Sequence, residues 1–213
     1  MESGNSDLPL KDDNLSIREI AHGLNNQVLV ISCHCDQLMT RLSPEDSNRE
    51  SVEAIIQACS RVADLVRGLQ PASSALNVLD EFRPDPRADA SQTILLVEDE
   101  ETIRRFMVSC LEAQGFTILE AAHGPEAIAT ALRYSGIIDL VITDVRLPEM
   151  DGFAVVDALR QHRPGLRAVF ISGDAIGSRE SGSPYSNSDF LWKPFKSSGL
   201  LQKVRDALQR DTG

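Results

Sequence analysis

Between residues 15 and 70, apolar positions recur at steps of three and four. Ile17, Ile20, Leu24, Val28, Ile31, Cys35, Leu38 and Leu42 form one series, and Val52, Ile55, Cys59, Val62, Val66 and Leu69 a second. That period keeps a single stripe of a helix apolar over many turns. Ser43, Pro44, Glu45, Asp46 and Ser47 interrupt it, and proline suits the opening turn of a new helix. The pattern predicts an α-helical hairpin over residues 14–70, behind a polar tail at 1–13 that reads as disordered. Two helices alone make a thin core. Pairing two hairpins into a four-helix bundle buries both seams, so a homodimer is expected.

Residues 71–91 break the pattern. Pro71, Pro84 and Pro86 exclude continuous helix or sheet, and the stretch reads as a linker. From 92 to 213 short apolar runs alternate with amphipathic stretches. Strands are expected at 93–97, 116–119, 139–143, 168–172 and 190–192, with helices after each. Such β-α alternation predicts an α/β fold, a five-stranded parallel sheet covered on both faces. The Gly/Ser-rich run 173–188 holds Gly177, Gly182 and Pro184, so the helix expected there is short or irregular.

In open parallel sheets, chemistry gathers at the carboxyl ends of the strands. That rule selects Glu98 and Asp99 after the first strand, Asp144 after the third, Ser172 at the end of the fourth and Lys193 after the fifth. Three converging carboxylates repel unless a cation joins them. An all-oxygen donor set suits Mg²⁺. A lysine and a hydroxyl beside the cluster can hold phosphate oxygens. The group fits phosphoryl transfer onto a carboxylate, with metal and lysine offsetting the charge that builds.

Composition narrows the role. The formal net charge is −11, with 15 acids against 8 bases in residues 1–91 and 17 against 13 in 92–213. Neither half has the basic stripe on which nucleic-acid affinity depends, so no nucleic-acid partner is expected. No apolar run approaches the roughly 18–20 residues that cross a bilayer, and the acidic N-terminus is unlike a signal peptide. Cys33, Cys35, Cys59 and Cys110 show no disulfide framework, which points to a reducing, cytoplasmic setting. Cys33 and Cys35 are two apart on a helix and point in separate directions, so no metal site is expected there.

The segments ILLVEDEETIRRF, DLVITDVRLPEMDG, VFISG and FLWKPF together resemble response-regulator receiver domains over about half the chain. The resemblance implies a flavodoxin-like receiver fold and these roles. Asp144 is the phosphoacceptor. Glu98 and Asp99 hold Mg²⁺ with Asp144, and the backbone carbonyl of Arg146 adds a ligand. Ser172 bonds a phosphoryl oxygen and Lys193 pairs with the phosphoryl group. Phe190 falls at the aromatic switch position, though it reads equally as a core-edge strand aromatic. A cis Lys193–Pro194 bond is expected.

His22 lies between the seam residues Ile20 and Leu24, and therefore points away from the seam at ~100° per residue. Spacing alone reads it as an incidental histidine on a wet face. Asn26 lies one turn on and shares that face. The segments REIAHGLNNQVLVI and AIIQACSRVADLVRGLQ resemble the dimerisation and phosphoacceptor helices of sensor histidine kinases. That resemblance makes His22 the phosphorylated residue and places Asn26 where related kinases position water against aspartyl phosphate. Two departures stand out. Gly23 replaces the acid that follows the histidine, and residues 71–91 carry no nucleotide-binding motif. The chain resembles a hybrid kinase without its ATP-binding domain, and ATP-dependent autophosphorylation is not expected.

The expected function is a phosphorelay component served by a sensor histidine kinase or another relay protein. Phosphate would move between Asp144 and a histidine, either His22 or one on a separate kinase. The alternatives are a non-catalytic dimeric interaction or decoy module, and a phosphatase acting on a partner receiver.

Overall fold

The computed structural model describes residues 11–68, 92–173, 185–186 and 189–210. Most of the expected tail, the 71–91 linker and nearly all of the Gly/Ser-rich run lie outside the described residues.

Helices α1 (Lys11–Arg41) and α2 (Asn48–Gly68) form the expected hairpin. Asp46 Oδ1 accepts from the Asn48 amide at 2.8 Å, satisfying one of the free N–H groups that open α2. Arg49 donates back to the carbonyls of Met39 and Leu42 at 3.2 and 3.1 Å, which ties α2 to the end of α1. Val28 packs on Cys59 and Ala63 of α2. Ala21 and Cys35, one heptad to either side of Val28, are buried in line with it.

The receiver half contains β1 (Thr93–Val97), α3 (Glu101–Glu112), β2 (Thr117–Ala121), α4 (Gly124–Arg133) and β3 (Leu140–Asp144). It continues with α5 (Gly152–His162), β4 (Arg167–Ser172), β5 (Phe190–Trp192) and α6 (Ser197–Gln209). The strands pair in parallel in the order β2-β1-β3-β4-β5. Strand alternation sends Ile94, Leu96, Leu140, Ile142, Val169 and Ile171 toward α3 and α6. Leu95, Val97, Val141 and Phe170 face α4 and α5. β1, β3 and β4 are therefore dry on both faces, which accounts for strands that read as nearly continuous apolar runs, whereas the edge strand β2 is partly exposed.

The hairpin and receiver share a core. Leu29 and Cys33 of α1 join the cluster of Ile103, Phe106, Met107, Phe195 and Leu200, and Leu29 is fully buried. Asp36 accepts from the Ser197 amide at 3.3 Å, where α6 begins. The two close thiols part company as expected: Cys33 faces the receiver, whereas Cys35 lies near Cys59 of α2.

Candidate functional site

Strand order reverses between β1 and β3, leaving a crevice at their carboxyl ends. Glu98, Asp144, Ser172 and Lys193 are all buried there, while Asp99 stays exposed. Lys193 is the centre of the group. Its ammonium lies 2.5 Å from Asp144 Oδ2 and 3.2 Å from Glu98 Oε2. The other Asp144 oxygen accepts from the Arg146 amide at 2.8 Å. The Lys193 amide donates to the Ser172 carbonyl at 2.7 Å, binding the β5 end to the β4 end. The Lys193–Pro194 bond is cis.

The loop after β3 demands a glycine. A Cβ at Gly152 would lie 2.2 Å from the Asp144 carbonyl oxygen, so only a bare α-carbon lets α5 begin beside the strand that ends in Asp144. Asp151 caps that helix by accepting from the Ala154 amide at 2.8 Å.

Charge balance follows from burial. Desolvation pushes the Glu98 carboxyl up to about 7, and Asp144 and Asp99 add repulsion while Lys193 opposes the rise. Burial works against the Lys193 charge, but Glu98 and Asp144 together hold its pKa above the usual lysine value. Glu98, Asp99 and Asp144 each present an oxygen, all within 4.8 Å of one another. Three hard oxygen donors crowded around one partly exposed spot fit a divalent cation such as Mg²⁺, and a raised carboxyl pKa is the strain such an ion relieves.

Phe190 is buried on the α4/α5 side, stacked on Trp192 at 5.3 Å between centroids and tilted on Phe170 at 5.5 Å. It is thus the inward-facing aromatic of the β5 strand.

The hairpin covers the crevice, and this alters the sequence reading of His22. The side chain does point away from the α2 seam, but that face is not wet. His22 is half-buried against the receiver. Burial pushes its pKa below the ordinary histidine value; the Asp144 charge opposes that shift, and Lys193 and Arg146 reinforce it. Asn26 Oδ1 accepts from Lys193 Nζ at 3.2 Å, and Asn26 Nδ2 lies 3.5 Å from His22 Nε2. Asn25, fully buried, donates from Nδ2 to the Gly173 carbonyl at 3.1 Å.

Asn25, Leu29, Cys33 and Asp36 complete the docking face, and sequence reasoning missed that role for all four. The signal was present. His22, Asn26, Leu29, Cys33 and Asp36 follow steps of four and three, a second stripe beside the first, masked by its mixed polarity.

Residues 94–205 match the response regulator receiver domain. The chain is 37% identical over 121 residues to the sensor kinase CckA of Brucella abortus, across 56% of this chain and 13% of that protein. It is 37% identical over 129 residues to the probable transcriptional regulatory protein TcrX of Mycobacterium tuberculosis, across 60% of this chain and 54% of that one. The chain therefore spans less than two thirds of either relative. A response regulator receiver protein from Sinorhizobium medicae shares the fold with a TM-score of 0.50 and 32% identity, over 55% of this chain and 94% of that one. Among the described residues no helix is long and apolar enough to cross a membrane. With the reversal in strand order, the buried acid–lysine crevice and a sequence match across more than half its length all in accord, the chain belongs to the response regulator receiver domain family of two-component systems.

Proposed function

We propose that this protein is a phosphorelay component that is phosphorylated on Asp144 and exchanges the phosphoryl group with His22 of its own hairpin. One observation carries this reading. Asn26, one turn after His22, bonds the same Lys193 ammonium that holds Asp144. The histidine-bearing helix therefore rests on the acceptor pocket, and proximity of this kind replaces a bimolecular encounter. Glu98, Asp99, Asp144 and the Arg146 carbonyl would hold Mg²⁺, which when bound supplies charge neutralisation for the phosphoryl oxygens. Lys193 and Ser172 bind those oxygens, and the buried Leu29 contact keeps water from that side. The upstream donor is a sensor histidine kinase or another relay protein.

The same Asn26 contact also suits a phosphatase, in which the carboxamide sets a water against aspartyl phosphate. One experiment separates the two. The full chain is phosphorylated with acetyl phosphate and Mg²⁺, and alkali-stable phosphate (phosphohistidine) is followed with time. Exchange predicts alkali-stable label in the wild type that disappears in both His22→Ala and Asp144→Ala. Absence of that label, with fast release of inorganic phosphate that slows in Asn26→Ala, favours the phosphatase instead.

The hairpin also presents an unmatched seam. Leu24, Ile31 and Leu38 recur every seven residues, and each is more than a third exposed, at 40%, 45% and 46%. The heptad positions of Ala21, Val28 and Cys35 are covered, but these three are bare. A second copy of the hairpin closes a four-helix bundle over them and leaves the receiver-docking face untouched.

A further inference from the structure

We infer, on the reading above that Glu98, Asp99 and Asp144 hold Mg²⁺, that Arg104 is a positioning residue. It fixes the Glu98–Asp99 turn through the backbone and thereby fits the acidic site to a small divalent cation rather than a larger one.

Glu98 is held on several sides. Its amide donates to the Ala121 carbonyl at 3.2 Å, and its carboxylate oxygens accept from Lys193 Nζ at 3.2 Å and from the Glu100 amide at 3.4 Å. Asp99 is exposed. Where its carboxylate can reach is set by the two peptide planes that flank its α-carbon. The start of α3 does not fix those planes by capping, because the Glu100 side chain makes no cap bond.

Arg104, one turn into α3, holds both planes. Its Nη1 donates to the Glu98 carbonyl at 2.8 Å and to the Asp99 carbonyl at 3.4 Å. These carbonyls belong to the planes before and after the Asp99 α-carbon, so one guanidinium nitrogen restrains the two together. Glu120 of β2 braces the arginine from behind, with Oε2 3.6 Å from Nε, and the Arg104 side chain is only 17% exposed. A planar fork can serve two carbonyls and a carboxylate in one orientation, which a lysine ammonium cannot.

The next residue isolates this role from charge. Arg105 carries the same charge on the same turn, but its guanidinium pairs with Glu101 in solvent, at 77% and 62% exposure. Mg²⁺ demands near-ideal octahedral geometry at about 2.0–2.1 Å, whereas Ca²⁺ accepts looser arrangements at about 2.3–2.6 Å. Freeing the planes around Asp99 therefore penalises the smaller ion more.

Full-length Arg104→Met and Arg105→Met each remove one positive charge from the same turn. Binding of Mg²⁺ and, separately, of Ca²⁺ is read from the fluorescence of Trp192, the single tryptophan, and from the rise in Tm that each cation produces. Arg104→Met should weaken Mg²⁺ binding on the order of 10-fold and Ca²⁺ binding less, so the ratio of the two shifts. Arg105→Met should match the wild type. Arg104→Lys, which can still reach one carbonyl, should recover part of the Mg²⁺ affinity. In metal-free protein, amide hydrogen exchange across residues 98–101 should quicken in Arg104→Met alone. Equal losses in the two methionine variants, or a fall in both cations by one factor, overturns the inference. If the wild type binds neither cation while exchange quickens as stated, the hold on the turn stands and the Mg²⁺ reading fails.

Discussion

Gly173 and Asn25 meet as backbone against side chain, with the Asn25 amide 3.1 Å from the Gly173 carbonyl where β4 leaves the sheet. A Cβ at Gly173 would lie 3.2 Å from that amide nitrogen, so any side chain there makes the Asn25 carboxamide give way by a few tenths of an ångström. Gly173→Val should push α1 off the receiver, and Gly173→Ala should do so less. Cys33, buried in the shared core and with its thiol pKa raised mainly by that burial, is the reporter. Peptide-mapped alkylation should label Cys33 several-fold faster in the valine variant; unchanged labelling would show that the contact does not hold the helix.

Glu98 makes stability depend on pH. Its pKa stands at about 7 in the folded protein against 4.5 for the ordinary carboxyl. A raised acid binds its proton more tightly in the folded state, so its contribution is complete below the unfolded value and vanishes as pH rises through about 7. That excursion is worth about 3 kcal/mol. Metal-free wild-type protein should therefore lose stability relative to Glu98→Gln between pH 5 and pH 8. Mg²⁺ should flatten the difference, because it favours the ionised form. Denaturant melts of the two proteins at both pH values measure this.

Gly152→Ala should disturb the acceptor from behind. Its Cβ would overlap the Asp144 carbonyl oxygen at 2.2 Å, and neither α5 nor β3 can yield without moving the carboxylate. A loss of about 1–3 kcal/mol is expected, with slower labelling by acetyl phosphate. Normal stability and labelling together would mean that the loop relaxes freely.

The bare heptad positions predict a dimer. Full-length protein should scatter light as a particle near twice 23.3 kDa, and Ile31→Glu should return it to the monomer. Acetyl phosphate should label Asp144 equally well in both. A wild-type monomer at micromolar concentration would leave the seam without its second copy.

Much of this molecule was legible in its residues. The parallel sheet, both layers of helices and the acidic crevice follow from apolar runs ending in Glu98, Asp99, Asp144, Ser172 and Lys193, because strand order alone brings those ends together. The hairpin was equally plain from its period. The docking was not. Leu29 and Cys33 are apolar, but His22, Asn25, Asn26 and Asp36 beside them are polar, and helical periodicity detects only faces that are uniformly apolar. A polar face that buries itself against a polar crevice has no hydropathy signature. It becomes visible only when Lys193 and Gly173 are present to receive it.

Because α1 covers the crevice within the same chain, it is also a resident competitor there. Tethered surfaces commonly meet at effective concentrations on the order of millimolar. A separate histidine-bearing helix reaching Asp144 must displace α1 from Leu29, Asn25 and Asn26 contacts that re-form without a collision partner. The affinity such a donor shows for the whole chain is then its intrinsic affinity scaled by the fraction of time α1 is away. Under the relay proposed above, selectivity among donors is thus set partly by this protein's own first helix, as a threshold that each incoming donor has to exceed.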